Sequence, residues 1–267
     1  MEKTKLTGNG SAFEGLIRLI ETLRGDNGCP WDKKQVPESM VVYLVEETYE
    51  LVEAIESGHD AAVREELGDV LFHIFFLARM YAEKDAFNIQ DVALDCTQKM
   101  IRRHPHVFGE VRVDNSDQVT QNWHKMKQTE KGESDSTSML DSVPLSLPAL
   151  MRAYRVSERA ARSGFDWEKP AGVLEKVAEE ISELEMAMAE SRPDETATEF
   201  GDVLFTLVNL ARFARIHPET ALRLSTRKFE QRFRHMEKRI LDSGRTLESV
   251  SQDEKDRIWE ELKASER

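Results

Sequence analysis

The chain is written twice. REELGDVLFHIFFLAR (64–79) pairs with ATEFGDVLFTLVNLAR (197–212), sharing GDVLF and the ending LAR, and LVEETYELVEAI (44–55) pairs with KVAEEISELEMAM (176–188) once the glutamates are aligned. Gly28-x-x-Trp31 and Gly164-x-x-Trp167 precede these segments; Lys99-x-x-x-Arg103 and Lys228-x-x-x-Arg232 follow them, and then Trp123-x-x-x-Lys127 and Trp259-x-x-x-Lys263. The same elements in the same order indicate duplication of a unit of roughly a hundred residues, an ordinary domain size. The repeat places one domain at 11–128 and a second at 146–267, joined by 129–145. Between them QTEKGESDSTS (128–138) is polar and lacks apolar periodicity, as expected of a mobile linker. Pro148 falls near the first turn of the helix that opens the second copy.

Each copy reads as helical. Gly and Pro are sparse, β-branched alternation is rare, and apolar residues recur at helical spacing, so the fold class is all-α. With 267 residues and 40% hydrophobic content the chain can bury a core. Its first ten residues lack an apolar signal region, and the longest apolar stretch, Val70 to Met80, is too short for a bilayer and contains His73 and Arg79. Two cysteines, Cys29 and Cys96, in no metal or redox spacing, suit a reducing compartment, and the expected location is cytoplasmic. A net charge of −13 argues against coating a nucleic-acid polymer, which requires a basic face to displace counterions. A polyanionic ligand therefore needs a local reversal of sign, from a bound divalent cation or a tight basic cluster.

The carboxylates are grouped to hold such a cation. At about 100° per residue, Leu44, Val45, Thr48, Leu51, Val52 and Ile55 form one stripe with Glu47 and Glu50 together on its border. In the next helix Glu66 and Asp69 repeat the three-residue spacing. The short Ser57-Gly58-His59-Asp60 connection sets the two helices antiparallel and the two pairs opposite each other. The second copy has Glu180, Glu183, Glu199 and Asp202, with Ser191-Arg192-Pro193-Asp194 as its connector. Four carboxylates on one seam repel one another unless a cation is shared, and Mg²⁺ fits an all-oxygen set that leaves positions for water and phosphate. Gly68 and Gly201, costly inside helices, are expected where a neighbouring backbone or ligand comes close. A single E-E-x-x-E is usually a solvated helix face; its recurrence beside E-x-x-D, twice, is what raises it to a site.

This E-E-x-x-E, connector, E-x-x-D pattern resembles the MazG-type nucleoside triphosphate pyrophosphohydrolases. GCPWD (28–32), RRHPHVF (102–108) and SLPALMRA (146–153) are similar to the two-domain members of that family, across nearly the whole chain. The resemblance implies a tandem repeat of two MazG-type helical-bundle domains, a homodimer that completes its sites, and Mg²⁺-dependent hydrolysis between the α- and β-phosphates, with nucleoside monophosphate and pyrophosphate as products. By motif position Glu180, Glu183, Glu199 and Asp202 bind metal in the second copy, and Glu47, Glu50, Glu66 and Asp69 in the first; the C-terminal unit is taken as the main catalytic one. Glu179 or Glu180 is the candidate general base. Lys228 and Arg232, one helical turn apart, are candidates for the triphosphate, with Lys176 and Lys263 behind them. Trp259 is a candidate to stack on the base, a contact tolerant of base identity.

The copies also differ. His73 stands where the second copy has Thr206, and is expected to pack or, failing that, to tune the site. His104-Pro105-His106 has poor metal spacing for a helix and reads as a turn or a contact. A di-iron carboxylate bundle would need Glu-x-x-His pairs, which the acidic positions lack. A non-catalytic helical dimer with acidic recognition faces is the remaining alternative, and it would show no Mg²⁺-dependent turnover.

Overall fold

The computed structural model describes residues 12–115 and 138–265, with positions 118, 119, 122, 123 and 126 between them. Every regular element among them is helical. The expected mobile linker lies outside the described residues, apart from Ser138. The chain divides into two compact units, Met1–Gly132 and Glu133–Arg267. The N-terminal unit contains α1 (Ala12–Arg24), α2 (Pro30–Lys34), α3 (Pro37–Ser57), α4 (Asp60–Ala82), α5 (Ile89–Arg103) and α6 (Pro105–Phe108). The C-terminal unit contains α7 (Ala149–Arg162), α8 (Pro170–Ala189), α9 (Pro193–Phe213), α10 (Pro218–Asp242), a 3₁₀ turn (Leu247–Ser249) and α11 (Gln252–Ser265). Pro30, Pro37, Pro105, Pro170, Pro193 and Pro218 each open a helix, where the missing N–H has no intrahelical partner to lose.

Each unit is organised around one helical hairpin, α3–α4 or α8–α9. The seam between the helices follows heptad spacing: Met40, Leu44, Glu47, Leu51 and Ala54 in α3, and Val173, Val177, Glu180, Leu184 and Ala187 in α8, are buried or half-buried. A conserved register of 133 positions therefore relates the two hairpins, and each seam carries one glutamate among apolar residues. The preceding helix packs on the hairpin in both units, but by different chemistry. In the first, Ile20, Met40, Phe76 and Met80 form an apolar core, with the Arg24 guanidinium over the Phe76 ring and paired to Glu83. In the second, Asn209 occupies the place of Phe76 and accepts a 2.5 Å hydrogen bond from Ser157, while Arg212 donates to Ser157 and pairs with Asp166. Residues 138–145, placed in the connector by the sequence, are tied to the C-terminal unit: Val143 is buried and Arg159 donates to the Met139 carbonyl.

The shared G-x-x-W serves two different backbones. A Cβ at Gly28 would sit 2.1 Å from the Leu23 carbonyl oxygen, so close approach demands glycine there; Gly164 instead adopts φ of +88°. The hairpin turns differ in a similar way. Gly58 ends α3 in the left-handed region at φ 71°, and its counterpart Ser191 holds φ 54° with a side chain that strains the same geometry. Ser191→Gly is therefore expected to raise stability by roughly 0.5–1 kcal/mol, read as a higher urea midpoint; an unchanged or lower midpoint would mean that the turn carries no strain.

Candidate metal centre

Each hairpin brings three of its four predicted carboxylates together. Carboxylate oxygens of Glu47, Glu66 and Asp69 lie within 4.8 Å of one another, as do those of Glu180, Glu199 and Asp202. In the second hairpin the seam glutamate is the enclosed member: Glu180 is 6% exposed, whereas Asp202 faces solvent. One turn beyond it, Glu50 and Glu183 stand outside these triplets but within electrostatic reach of them. Desolvation, and then repulsion from Glu50, Asp69 and Glu47, push the Glu66 carboxyl above its usual range. Its Oε2 is buried without a hydrogen-bond partner. Desolvation, then Glu180, likewise raise Glu183, against an opposing pull from Lys176. Burial and the neighbouring carboxylates together hold Glu66 and Glu183 above their ordinary range, a cost that a shared cation relieves.

The two clusters face different neighbours. In the C-terminal unit the Lys176 ammonium donates to Glu179 at 2.7 Å and pairs with Glu180 at 2.8 Å. Position 43, its counterpart, is Tyr43, whose ring stacks on His73 at 6.3 Å and meets the edge of Trp31 at 5.8 Å. His73 is 9% exposed, with Nε2 3.6 Å from Glu47 and Nδ1 buried without a partner. It packs, as expected, but against the acidic seam itself.

The basic and aromatic candidates lie on other helices. Lys228 and Arg232 are on α10, which packs on α7 and α11. Arg232 is 9% exposed, with its guanidinium 5.2 Å from the Trp259 ring centre. Trp259 is half-buried, rests on Phe229 at 5.0 Å and adjoins the apolar cluster of Met236, Ile240, Val250 and Ile258. The first copy repeats this pair, with Arg103 5.1 Å over Trp123. Lys263, the remaining basic candidate, pairs with Glu260 on α11. His104 bonds through Nδ1 to the Met100 carbonyl at 2.6 Å, closing α5 before the short α6, a contact rather than a metal pair. A Cβ at Gly68 or Gly201 would meet nothing within 4 Å, so among the described residues no backbone makes the close approach expected there.

Sequence reasoning missed Tyr43 and the pairing of Lys176 with the carboxylates. The 133-residue register was the signal that could have found both, since it aligns the two positions directly.

Comparisons with known proteins agree with this geometry. The model of the MazG nucleotide pyrophosphohydrolase domain matches residues 35–108 and 168–237, which hold both hairpins. The chain is 45% identical to the nucleoside triphosphate pyrophosphohydrolase/pyrophosphatase MazG of Thermotoga maritima, over 96% of this chain and 98% of that protein. It is 38% identical to the nucleoside triphosphate pyrophosphohydrolase of Escherichia coli, over 95% and 98%. A Bacillus subtilis protein, YabN, is 44% identical over 96% of this chain and 52% of its own length. With two matched copies of the domain and relatives alike from end to end, the chain belongs to the MazG nucleotide pyrophosphohydrolase family.

Proposed function

We propose that this protein hydrolyses nucleoside triphosphates, ATP among them, to the monophosphate and pyrophosphate, with Mg²⁺ and with broad tolerance of the base, as a means of clearing the nucleotide pool. The observation that carries this reading is the convergence of Glu180, Glu199 and Asp202, and of Glu47, Glu66 and Asp69, inside the segments matched to the family. The names of the Thermotoga and Escherichia relatives, both nucleoside triphosphate pyrophosphohydrolases, support it.

The residues fit Mg²⁺. Their donors are all carboxylate oxygens, they number few enough to leave room for water and phosphate, and an orphaned Glu66 oxygen and raised carboxyls ask for a cation. Bound there, the ion offsets phosphate charge and makes an attacking water more acidic. The chain's own groups do the rest. Glu180, Glu199 and Asp202, with Glu183 a turn away, hold and orient the metal, as Glu47, Glu50, Glu66 and Asp69 do in the first unit. Glu179, the more exposed neighbour, or Glu180 accepts the proton of the attacking water. Lys176, Lys228 and Arg232 neutralise the triphosphate, and the Trp259 ring offers a π-face that reads no base edge.

Exposed apolar stripes support a homodimer. On α9, Phe200, Leu204 and Leu207 are exposed at i, i+4, i+7; on α8, Leu174, Ile181 and Met188 recur every seven residues. The first hairpin repeats the pattern with Val41, Val45 and Ile55, and with Leu67 and Ile74. Two such hairpins, from two copies of the chain, close a four-helix bundle. No helix among the described residues is long and apolar enough to cross a membrane. The free thiols Cys29 and Cys96 support a reducing cytoplasm.

The test is product analysis by ion exchange after incubation with ribo- and deoxynucleoside triphosphates, with Mg²⁺ and with EDTA. Monophosphate and pyrophosphate, formed only with Mg²⁺, are expected. Diphosphate and phosphate would place the cut at the wrong bond, and no product would leave a non-catalytic helical dimer.

A further inference from the structure

The two clusters share their carboxylates and differ in the charge opposite them. Lys176 lies one turn before Glu180 on the same helix and spans Glu179 and Glu180 with one ammonium. The hydrogen bonds it donates, first to Glu179 and then to Glu180, hold that ammonium in its charged form. The first unit has no such group: among the described residues the only basic side chain within ion-pair distance of Glu47, Glu50, Glu66 or Asp69 is His73, at 3.6 Å. Tyr43, in the place of Lys176, is uncharged and engaged in the aromatic stack with His73 and Trp31.

We infer that Lys176 makes the C-terminal site's hold on a divalent cation depend on nucleotide, whereas the N-terminal site takes a divalent cation by itself. The inference rests on the metal reading proposed above. A cation entering the second cluster meets a like charge already bound to its most enclosed ligand. It must displace the ammonium or sit beside it, and either lowers its affinity. A triphosphate arriving with the ion offers the ammonium another anionic partner and frees Glu180 for the metal. Linkage then requires that nucleotide strengthen cation binding and cation strengthen nucleotide binding by the same factor. In the first unit nothing has to leave, so that coupling is missing and the ion can stay as a resident.

The full-length chain, free of nucleotide, tests this by titration with Mn²⁺, with the unbound ion counted by electron paramagnetic resonance. The wild type is expected to show one tighter class of site, abolished by Asp69→Asn, and a second at least tenfold weaker, abolished by Asp202→Asn. Lys176→Gln should tighten the second class about tenfold, while Lys176→Arg, which keeps the charge, should leave it weak. Tyr43→Lys should weaken the first class, transferring the device to the other unit; circular dichroism of each variant checks that its helices persist. Equal affinities in the wild type, or identical titrations for Lys176→Gln and the wild type, would overturn the inference. Absence of Mn²⁺ binding in every variant would overturn it together with the metal reading, and turnover in Mg²⁺ distinguishes that second failure.

Discussion

Glu180→Gln is expected to lower kcat/KM for triphosphate hydrolysis at least about a thousandfold while leaving the helical signal unchanged. Glu180 is the one carboxylate of the C-terminal triplet that the hairpin seam encloses, and the substitution keeps its shape while removing its charge. Glutamine can still fill the heptad position between Val177 and Leu184, so the seam should hold. What goes is a negative oxygen within 4.8 Å of those of Glu199 and Asp202, and with it the charge proposed to hold a small divalent ion. Lys176 also loses one of its two partners and keeps Glu179. Steady-state kinetics on the full-length chain, beside far-ultraviolet circular dichroism, decides the matter. Activity within tenfold of wild type would move the chemistry out of the C-terminal hairpin.

Much of this site was legible before any coordinates, because a duplicated sequence supplies its own comparison. GDVLF, the two connectors and the E-x-x-E and E-x-x-D spacings located both hairpins and included the six carboxylates that the structure brings together. What the helical wheel could not do was separate two stripes one residue apart. It merged Leu44 and Leu51, which lie in the seam, with Val45, Thr48 and Ile55, which are exposed, and so left Glu47 on a border when it sits inside the seam. Both stripes are apolar and both follow heptad spacing; periodicity reports that a face is buried against something, not against what. The exchange of Phe76 for Asn209 was hidden for a related reason. A core contact and a buried hydrogen-bond network fill the same position with equal sense only once their partners, Arg24 in one unit and Ser157 in the other, are known.

The exposed stripe leads to the other large effect. Phe200→Glu with Leu204→Glu is expected to convert the proposed homodimer into a monomer at micromolar concentration and to abolish hydrolysis. Both side chains belong to the run Phe200, Leu204, Leu207 on the outer face of α9, the helix whose inner face presents Glu199 to the seam. Closing a bundle around two carboxylates per chain would bury four unpaired charges. Each costs several kcal/mol unless it is neutralised, which is enough to raise a dissociation constant many thousandfold. The isolated hairpin loses nothing, since Phe200 and Leu204 touch solvent already; helical content should therefore survive, and the loss of turnover would report assembly rather than unfolding. Sedimentation equilibrium and kinetics on the same preparation separate the possibilities. A dimer that persists would place the contact on another face, and a monomer with full activity would show that one chain completes its site alone. Loss of both together is the outcome expected if each carboxylate cluster is completed by the second copy.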